Sequence, residues 1–130
     1  MARFIFKKLV RDKLPQMYKD LNQTIVSRTL TDNELHMRLQ DKLIEEATEI
    51  PIDSDDRSMI INELSDVYQV LDDIRAELAI SIEEVEDAKQ KKFAKKGGFS
   101  NGIFVEIIEL YDDKWLEYYR REPEKYKEIE

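Results

Sequence analysis

The feature that most restricts the fold is a pair of long amphipathic segments joined by a short loop. Residues 31–50 and 55–78 repeat apolar side chains at the 3.6-residue period of an α-helix. The two stripes are Leu35, Leu39, Leu43, Ala47 and Ile50, and Ile60, Leu64, Val67, Leu71, Ile74 and Leu78. Pro51 ends the first segment. We therefore predict an all-α fold in which these two helices pack against each other.

Local patterns predict the remaining elements. Capping boxes, Thr31 with Glu34 and Ser81 with Glu84, are expected to open the second and fourth helices. Gly97 is expected to end the fourth helix. The other predicted elements are a helix at about 10–21, short strands at 24–30 and 102–107 that would pair as a ribbon, and a tail helix from Asp112 that Pro123 interrupts.

Together these elements predict one domain, a bundle of about four to five helices. Its core covers about residues 8–104, and a helical extension covers about 106–130.

Composition excludes several classes of protein. The net charge of −8 argues against general binding to nucleic acid, which depends on neutralising phosphates. Without cysteine there is no disulfide and no cysteine-ligated zinc. No stretch approaches the roughly 20 apolar residues that span a bilayer, and the N-terminal residues lack the apolar core of a signal peptide. We expect a cytoplasmic protein without a membrane partner.

Acidic residues border both apolar stripes. At about 100° per residue, Glu46 and Glu49 fall about 60° and 120° from Leu43, and Glu45 points to the far side. Glu63 and Asp66 fall at the same angles from Ile60. Antiparallel packing would bring the four acids together, and such a group needs protonation or a cation. The alternative from the wheel alone is that they are ordinary surface acids paired with lysines.

The order of these motifs adds a family resemblance. Residues 45–49 read E-E-x-x-E and residues 63–66 read E-x-x-D. Residues 8–15, K-L-V-R-D-K-L-P, precede them, and residues 92–99, K-F-A-K-K-G-G-F, follow. This series resembles the MazG-like all-α nucleoside triphosphate pyrophosphohydrolases, which are related to phosphoribosyl-ATP pyrophosphohydrolase and dimeric dUTPase. The resemblance covers roughly residues 8–104 and does not reach the tail.

The resemblance implies an activity and a metal site. It implies hydrolysis of nucleoside triphosphates to monophosphate and pyrophosphate, as in the clearing of nucleotide pools. It assigns Mg²⁺, with Mn²⁺ as a substitute, to Glu46, Glu49, Glu63 and Asp66, and a supporting or water-activating role to Glu45. Asp73 stands where the family often has a nucleotide-contacting Asn. The family also implies a homodimer or homotetramer.

Basic residues are the candidates for binding the triphosphate. Lys92 and Lys96, with Lys95 next, lie on the fourth helix and would screen the leaving pyrophosphate. The alternative is a solvated lysine-rich helix end that favours the helix dipole. Arg11 and Lys13 would either approach the phosphates or form salt bridges with Asp12 or a neighbouring helix. A non-catalytic oligomerisation or regulatory module with the same fold is the alternative function.

Overall fold

The computed structural model describes residues 1–130 and contains five α-helices and no β-strand. In chain order they are α1 (Leu14–Asp20), α2 (Asp32–Thr48), α3 (Arg57–Glu77), α4 (Ile82–Lys96) and α5 (Asp113–Arg120). The predicted all-α class is therefore confirmed. The chain divides into two compact units, Met1–Lys91 and Lys92–Glu130. The single-domain expectation stays a prediction. No helix is long and apolar enough to cross a membrane.

Helices α2 and α3 form the main packing contact of the first unit, and they lie antiparallel. The imidazole Nε2 of His36, near the start of α2, is 3.5 Å from a carboxylate oxygen of Glu77 at the end of α3. At the opposite end, Glu46 of α2 lies beside Glu63 in the second turn of α3. The short connection of residues 49–56 is long enough only for such a hairpin.

The face buried between α2 and α3 is shifted from the predicted stripes toward the acids. Leu39 of α2 and Val70 of α3 are the two buried apolar side chains of the chain. On α3 the shielded face also carries Ile74 and Glu63, whereas Leu64 and Leu71 of the predicted stripe are exposed. This shift, about 50° on the helical wheel, moves Glu63 from the edge of the shielded face to its middle.

The two predicted capping boxes have different outcomes. At α4 the box forms, since the Ser81 N–H donates to Glu84 Oε2 at 2.8 Å and the Glu84 N–H donates to Ser81 Oγ at 3.1 Å. At α2 the Thr31 side chain makes no capping hydrogen bond. Glu34 instead accepts two hydrogen bonds from the Arg28 guanidinium. A charged, bidentate partner is stronger than a backbone N–H, which explains the difference.

The predicted ribbon is not confirmed. Residues 24–30 and 102–107 have no regular structure, and neither segment pairs with a second strand. Their β-branched composition favours an extended backbone, but an isolated two-stranded ribbon is marginally stable in water. Helix α1 is shorter than predicted and begins at Leu14, because Pro15 favours the first helical turn.

The second unit contains the end of α4 and all of α5. Gly97 has a φ of +79°, and its N–H donates to the Phe93 carbonyl at 2.8 Å, so α4 ends where the sequence predicts. In α5 the Asp112 side chain caps the first turn. Aromatic rings then pack edge to face, with centroid distances of 5.9, 5.5 and 4.5 Å, along the series Trp115, Tyr118, Tyr119 and Tyr126.

Candidate metal centre

Three carboxylates converge at one end of the α2–α3 pair. Glu46, Glu63 and Asp66 each offer a ligand oxygen, and these oxygens lie within 4.8 Å of one another. Glu46 sits in the last turn of α2, and the other two acids lie one turn apart near the start of α3. The antiparallel hairpin therefore brings together three of the four acids that the sequence singles out.

Burial makes this group costly without a counter-charge. Glu46 is only 8% exposed. Glu63 Oε2 is fully buried and has no hydrogen-bond partner. A buried carboxylate oxygen without a partner carries a desolvation cost that a bound cation would offset. The acids therefore fit a hard divalent cation, since Mg²⁺ and Mn²⁺ prefer carboxylate oxygens.

Glu49 is placed differently. It follows α2 as its C-terminal cap, is exposed, and lies outside the three-carboxylate group. The pKa of Lys8 is raised first by its hydrogen bond to Glu45 and, to a smaller extent, by the charges of Glu49 and Glu46. The assignment of Glu49 as a metal ligand stays a prediction.

Glu45 is held by two lysines. Lys8 Nζ donates to Glu45 Oε1 at 2.9 Å, and Lys42 Nζ lies 3.5 Å from Glu45 Oε2. The hydrogen bond from Lys8 lowers the pKa of Glu45, against a smaller opposing effect of burial, and the charge of Lys42 lowers it further. A carboxylate with a lowered pKa is a weaker base. The supporting or water-activating role of Glu45 stays a prediction.

Arg11 reaches the other helix. Its Nη2 donates to Asp66 Oδ1 at 2.6 Å, so of the possibilities left open by the sequence, the structure contains the salt bridge to a neighbouring helix. Lys13 forms no ion pair and occupies the N-cap position of α1, where its side chain makes no capping hydrogen bond. Asp73 lies two turns beyond Asp66 on α3, is exposed, and accepts a long hydrogen bond of 3.4 Å from Gln69.

The lysines of α4 fall into two groups. Lys89 and Lys91 pair with acids on their own helix, Glu86 and Asp87. In contrast, Lys92, Lys95 and Lys96 form no ion pair and are exposed. These last three belong to the second unit, and their role as phosphate contacts stays a prediction.

Two cations of this site were not assigned a role from the sequence. Lys42 lies 3.3 Å from Glu46 Oε1, at the i,i+4 spacing that would have identified it. Lys8 has no such local signal, because its partner is 37 residues away. Its only signal was membership of the K-L-V-R motif, three residues before Arg11.

The charged side chains of the site carry a net negative charge. Five carboxylates and three cations give a net charge of −2 at neutral pH, which one divalent cation would neutralise. The carboxylates are Glu45, Glu46, Glu49, Glu63 and Asp66, and the cations are Lys8, Arg11 and Lys42.

Comparison with known proteins adds no assignment, since no family model, curated protein or solved structure matches the chain. The resemblance to MazG-like pyrophosphohydrolases therefore depends on the sequence motifs, and the activity, the metal and the assembly are proposals.

Proposed function

We propose that this protein is a Mg²⁺-dependent hydrolase that splits nucleoside triphosphates into a nucleoside monophosphate and pyrophosphate. The observation that carries the proposal is the convergence of Glu46, Glu63 and Asp66 from two helices, with one buried and unpartnered carboxylate oxygen. The acidic motifs that resemble the pyrophosphohydrolases supply these three residues.

The three carboxylates would hold the metal, with Glu49 as the expected fourth ligand. Bound Mg²⁺ would supply charge neutralisation for the phosphates and activation of water. Three or four protein oxygens leave positions of an octahedral ion free for water and substrate. Lys42, at 3.3 Å from Glu46, limits the repulsion within the group and holds that carboxylate in place.

Four basic side chains are the proposed contacts of the triphosphate. Lys92, Lys95 and Lys96 are exposed and form no ion pair, so their ammonium groups are available to screen a leaving pyrophosphate. Arg11 is the candidate on the first unit, and its planar guanidinium suits bidentate binding of phosphate oxygens. P-loop enzymes, which cleave the γ-phosphate, use a G-x-x-x-x-G-K-[ST] loop, and the chain has none.

We propose that the functional form is a homo-oligomer. On α3, Ile61, Leu64, Tyr68 and Leu71 are exposed at 3–4–3 spacing, as in a helix that packs on a second helix. On α2, Met37 and Ile44 are exposed seven residues apart. These six residues are called here the apolar flank. All six are exposed, and none belongs to the face that is shielded between α2 and α3.

The alternative is a non-catalytic module that keeps the fold for assembly. The apolar flank fits that function equally well, since it requires only a second helical surface. The carboxylate group distinguishes the two, because an assembly module has no need for a buried oxygen without a partner. A screen of canonical and modified triphosphates with Mg²⁺ or Mn²⁺, read by released pyrophosphate, separates them.

The bond that breaks is tested by hydrolysis in ¹⁸O-water. Attack at the α-phosphorus places the label in the nucleoside monophosphate and releases unlabelled pyrophosphate. Orthophosphate and a nucleoside diphosphate as primary products would overturn the proposed reaction.

Metal binding is tested without substrate. A cation that binds only the folded chain stabilises it by about 2.7 kcal/mol at 100 times its dissociation constant. We expect Mg²⁺ and Mn²⁺ to raise the melting temperature. A folded sample whose melting temperature is the same with and without millimolar Mn²⁺ would contradict the metal centre.

A further inference from the structure

The segment that precedes α1 forms an ion pair with each of the two acidic helices, α2 and α3. Lys8 reaches Glu45 on α2 at 2.9 Å, and Arg11, three residues later, reaches Asp66 on α3 at 2.6 Å. The partners are 37 and 55 residues away in sequence, so neither pair is a local helix contact. We call residues 8–11 the basic strap.

Asp66 has two roles that oppose each other. It belongs to the three-carboxylate group, and its Oδ1 is already the acceptor of the Arg11 guanidinium. Glu46 and Glu63, the other members of the group, form no contact with the strap. A divalent cation that binds this group therefore meets the Arg11 guanidinium at Asp66. At Glu46 it meets Lys42, a neighbour on the same helix at 3.3 Å, and the buried Glu63 Oε2 has no partner.

We propose that Arg11 and the divalent cation compete for Asp66, so that metal binding releases the guanidinium of Arg11 for the phosphates of the substrate. This inference rests on the proposed function and names how its metal site is regulated. Arg11 thus weakens the binding of metal alone, and it supplies a phosphate contact when metal and triphosphate bind together.

Lys8 keeps the released arginine near the site. Its pair with Glu45 does not involve a member of the three-carboxylate group, so metal binding leaves it in place. Three residues of extended chain span at most about 11 Å, which limits how far the Arg11 backbone moves from Lys8. Lys8 thus stays paired with Glu45, whereas Arg11 can leave Asp66 and bind a phosphate.

The expected effect is modest because Arg11 is 58% exposed. Solvent-exposed ion pairs contribute at most about 1 kcal/mol, which corresponds to about a fivefold change in a dissociation constant. Added salt screens the pair, so the effect should shrink as ionic strength rises.

The experiment is titration calorimetry of the full chain with Mn²⁺ alone, without nucleotide. We compare the wild type with Arg11→Gln, Arg11→Lys and Arg3→Gln. Arg3 lies in the same exposed N-terminal stretch and has no ion pair, so Arg3→Gln removes the same charge without the contact. Arg11→Gln should bind Mn²⁺ about two- to fivefold more tightly than the wild type, and Arg3→Gln and Arg11→Lys should bind with affinity close to the wild type.

The remaining outcomes separate this inference from the proposed function. Equal or weaker Mn²⁺ binding by a folded Arg11→Gln would overturn the competition and leave the metal centre intact. An equal gain in Arg3→Gln would also overturn it, by showing an effect of net charge. Tighter binding without any triphosphate hydrolysis would overturn the hydrolase and keep the competition. Absence of Mn²⁺ binding in all four folded proteins would overturn both.

Discussion

Two regions of the α2–α3 pair differ in chemistry. The first, the ionic flank, is the end of the pair that carries the three-carboxylate group together with Lys8, Arg11 and Lys42. The second is the apolar flank, on which Tyr68 is 68% and Ile61 55% exposed. The ionic flank has internal partners for most of its charges, whereas the apolar flank has no partner within the hairpin. The two regions therefore suit different proposed partners, a divalent cation for the carboxylates and a second copy of the chain for the apolar flank.

The largest expected effect is on the ionic flank. Glu63→Gln should lower the rate of pyrophosphate release by at least roughly 100-fold, because it removes a charged ligand of the proposed metal. The same change should leave the metal-free protein as stable or more stable, because it removes repulsion between carboxylates.

Asp72→Asn is the matched control, since Asp72 is an exposed acid on the same helix outside the group. Pyrophosphate assays and thermal melts without metal provide the two readouts. Loss of folding in Glu63→Gln would show that Glu63 supports structure and would count against its catalytic assignment.

On the apolar flank, Tyr68→Glu should weaken self-association. A charge in the centre of an apolar interface typically costs about 2 kcal/mol or more, equivalent to about a 30-fold rise in the dissociation constant. Light scattering with size-exclusion chromatography measures the change in mass. Asn62→Glu adds the same charge on the opposite side of α3 and should leave the mass unchanged. A wild-type monomer at high concentration would contradict the proposed assembly.

The smallest effect concerns pH. Lys8 lowers the pKa of Glu45, so the stability from this pair is fully present above the unfolded pKa of about 4.3 and is lost as pH falls through the lower folded pKa. The raised pKa of Lys8 sets the other limit, since the contribution is lost as pH rises through that value. Lys8→Gln should therefore melt slightly below the wild type at neutral pH, and the difference should vanish in strong acid. A difference that persists in strong acid would show that the pair is not its cause.

The sequence predicted the ionic flank in part because its residues obey local rules. Glu46, Glu63 and Asp66 follow from helical spacing and one antiparallel hairpin, and the end of α4 follows from Gly97. The predicted apolar stripe of α3 was less accurate. It assigned Leu64 and Leu71 to the buried face, because they are as apolar as the residues that pack against α2. A helical wheel cannot distinguish an apolar residue that packs within the chain from one that faces outward.

Contacts between distant residues set the limit of prediction. Thr31 and Glu34 satisfy a capping pattern, but Arg28 provides Glu34 with a stronger partner that the pattern does not include. Residues 24–30 and 102–107 have strand-like composition, but composition does not supply a second strand. The contact between Lys8 and Glu45 depends on the fold of the hairpin, and no local motif signals it.

The basic strap also has a consequence for the order in which the first unit folds. Contacts between α2 and α3 close a short loop of the chain. The pair of Arg11 and Asp66 closes a loop of 55 residues, which costs more conformational entropy. On the ribosome, Lys8 and Arg11 emerge well before either acceptor exists. The basic strap is therefore synthesised early. We expect it to bind Glu45 and Asp66 only after the hairpin has brought these two acids to one end. Asp66 of the three-carboxylate group is then paired with a segment that was synthesised before both helices.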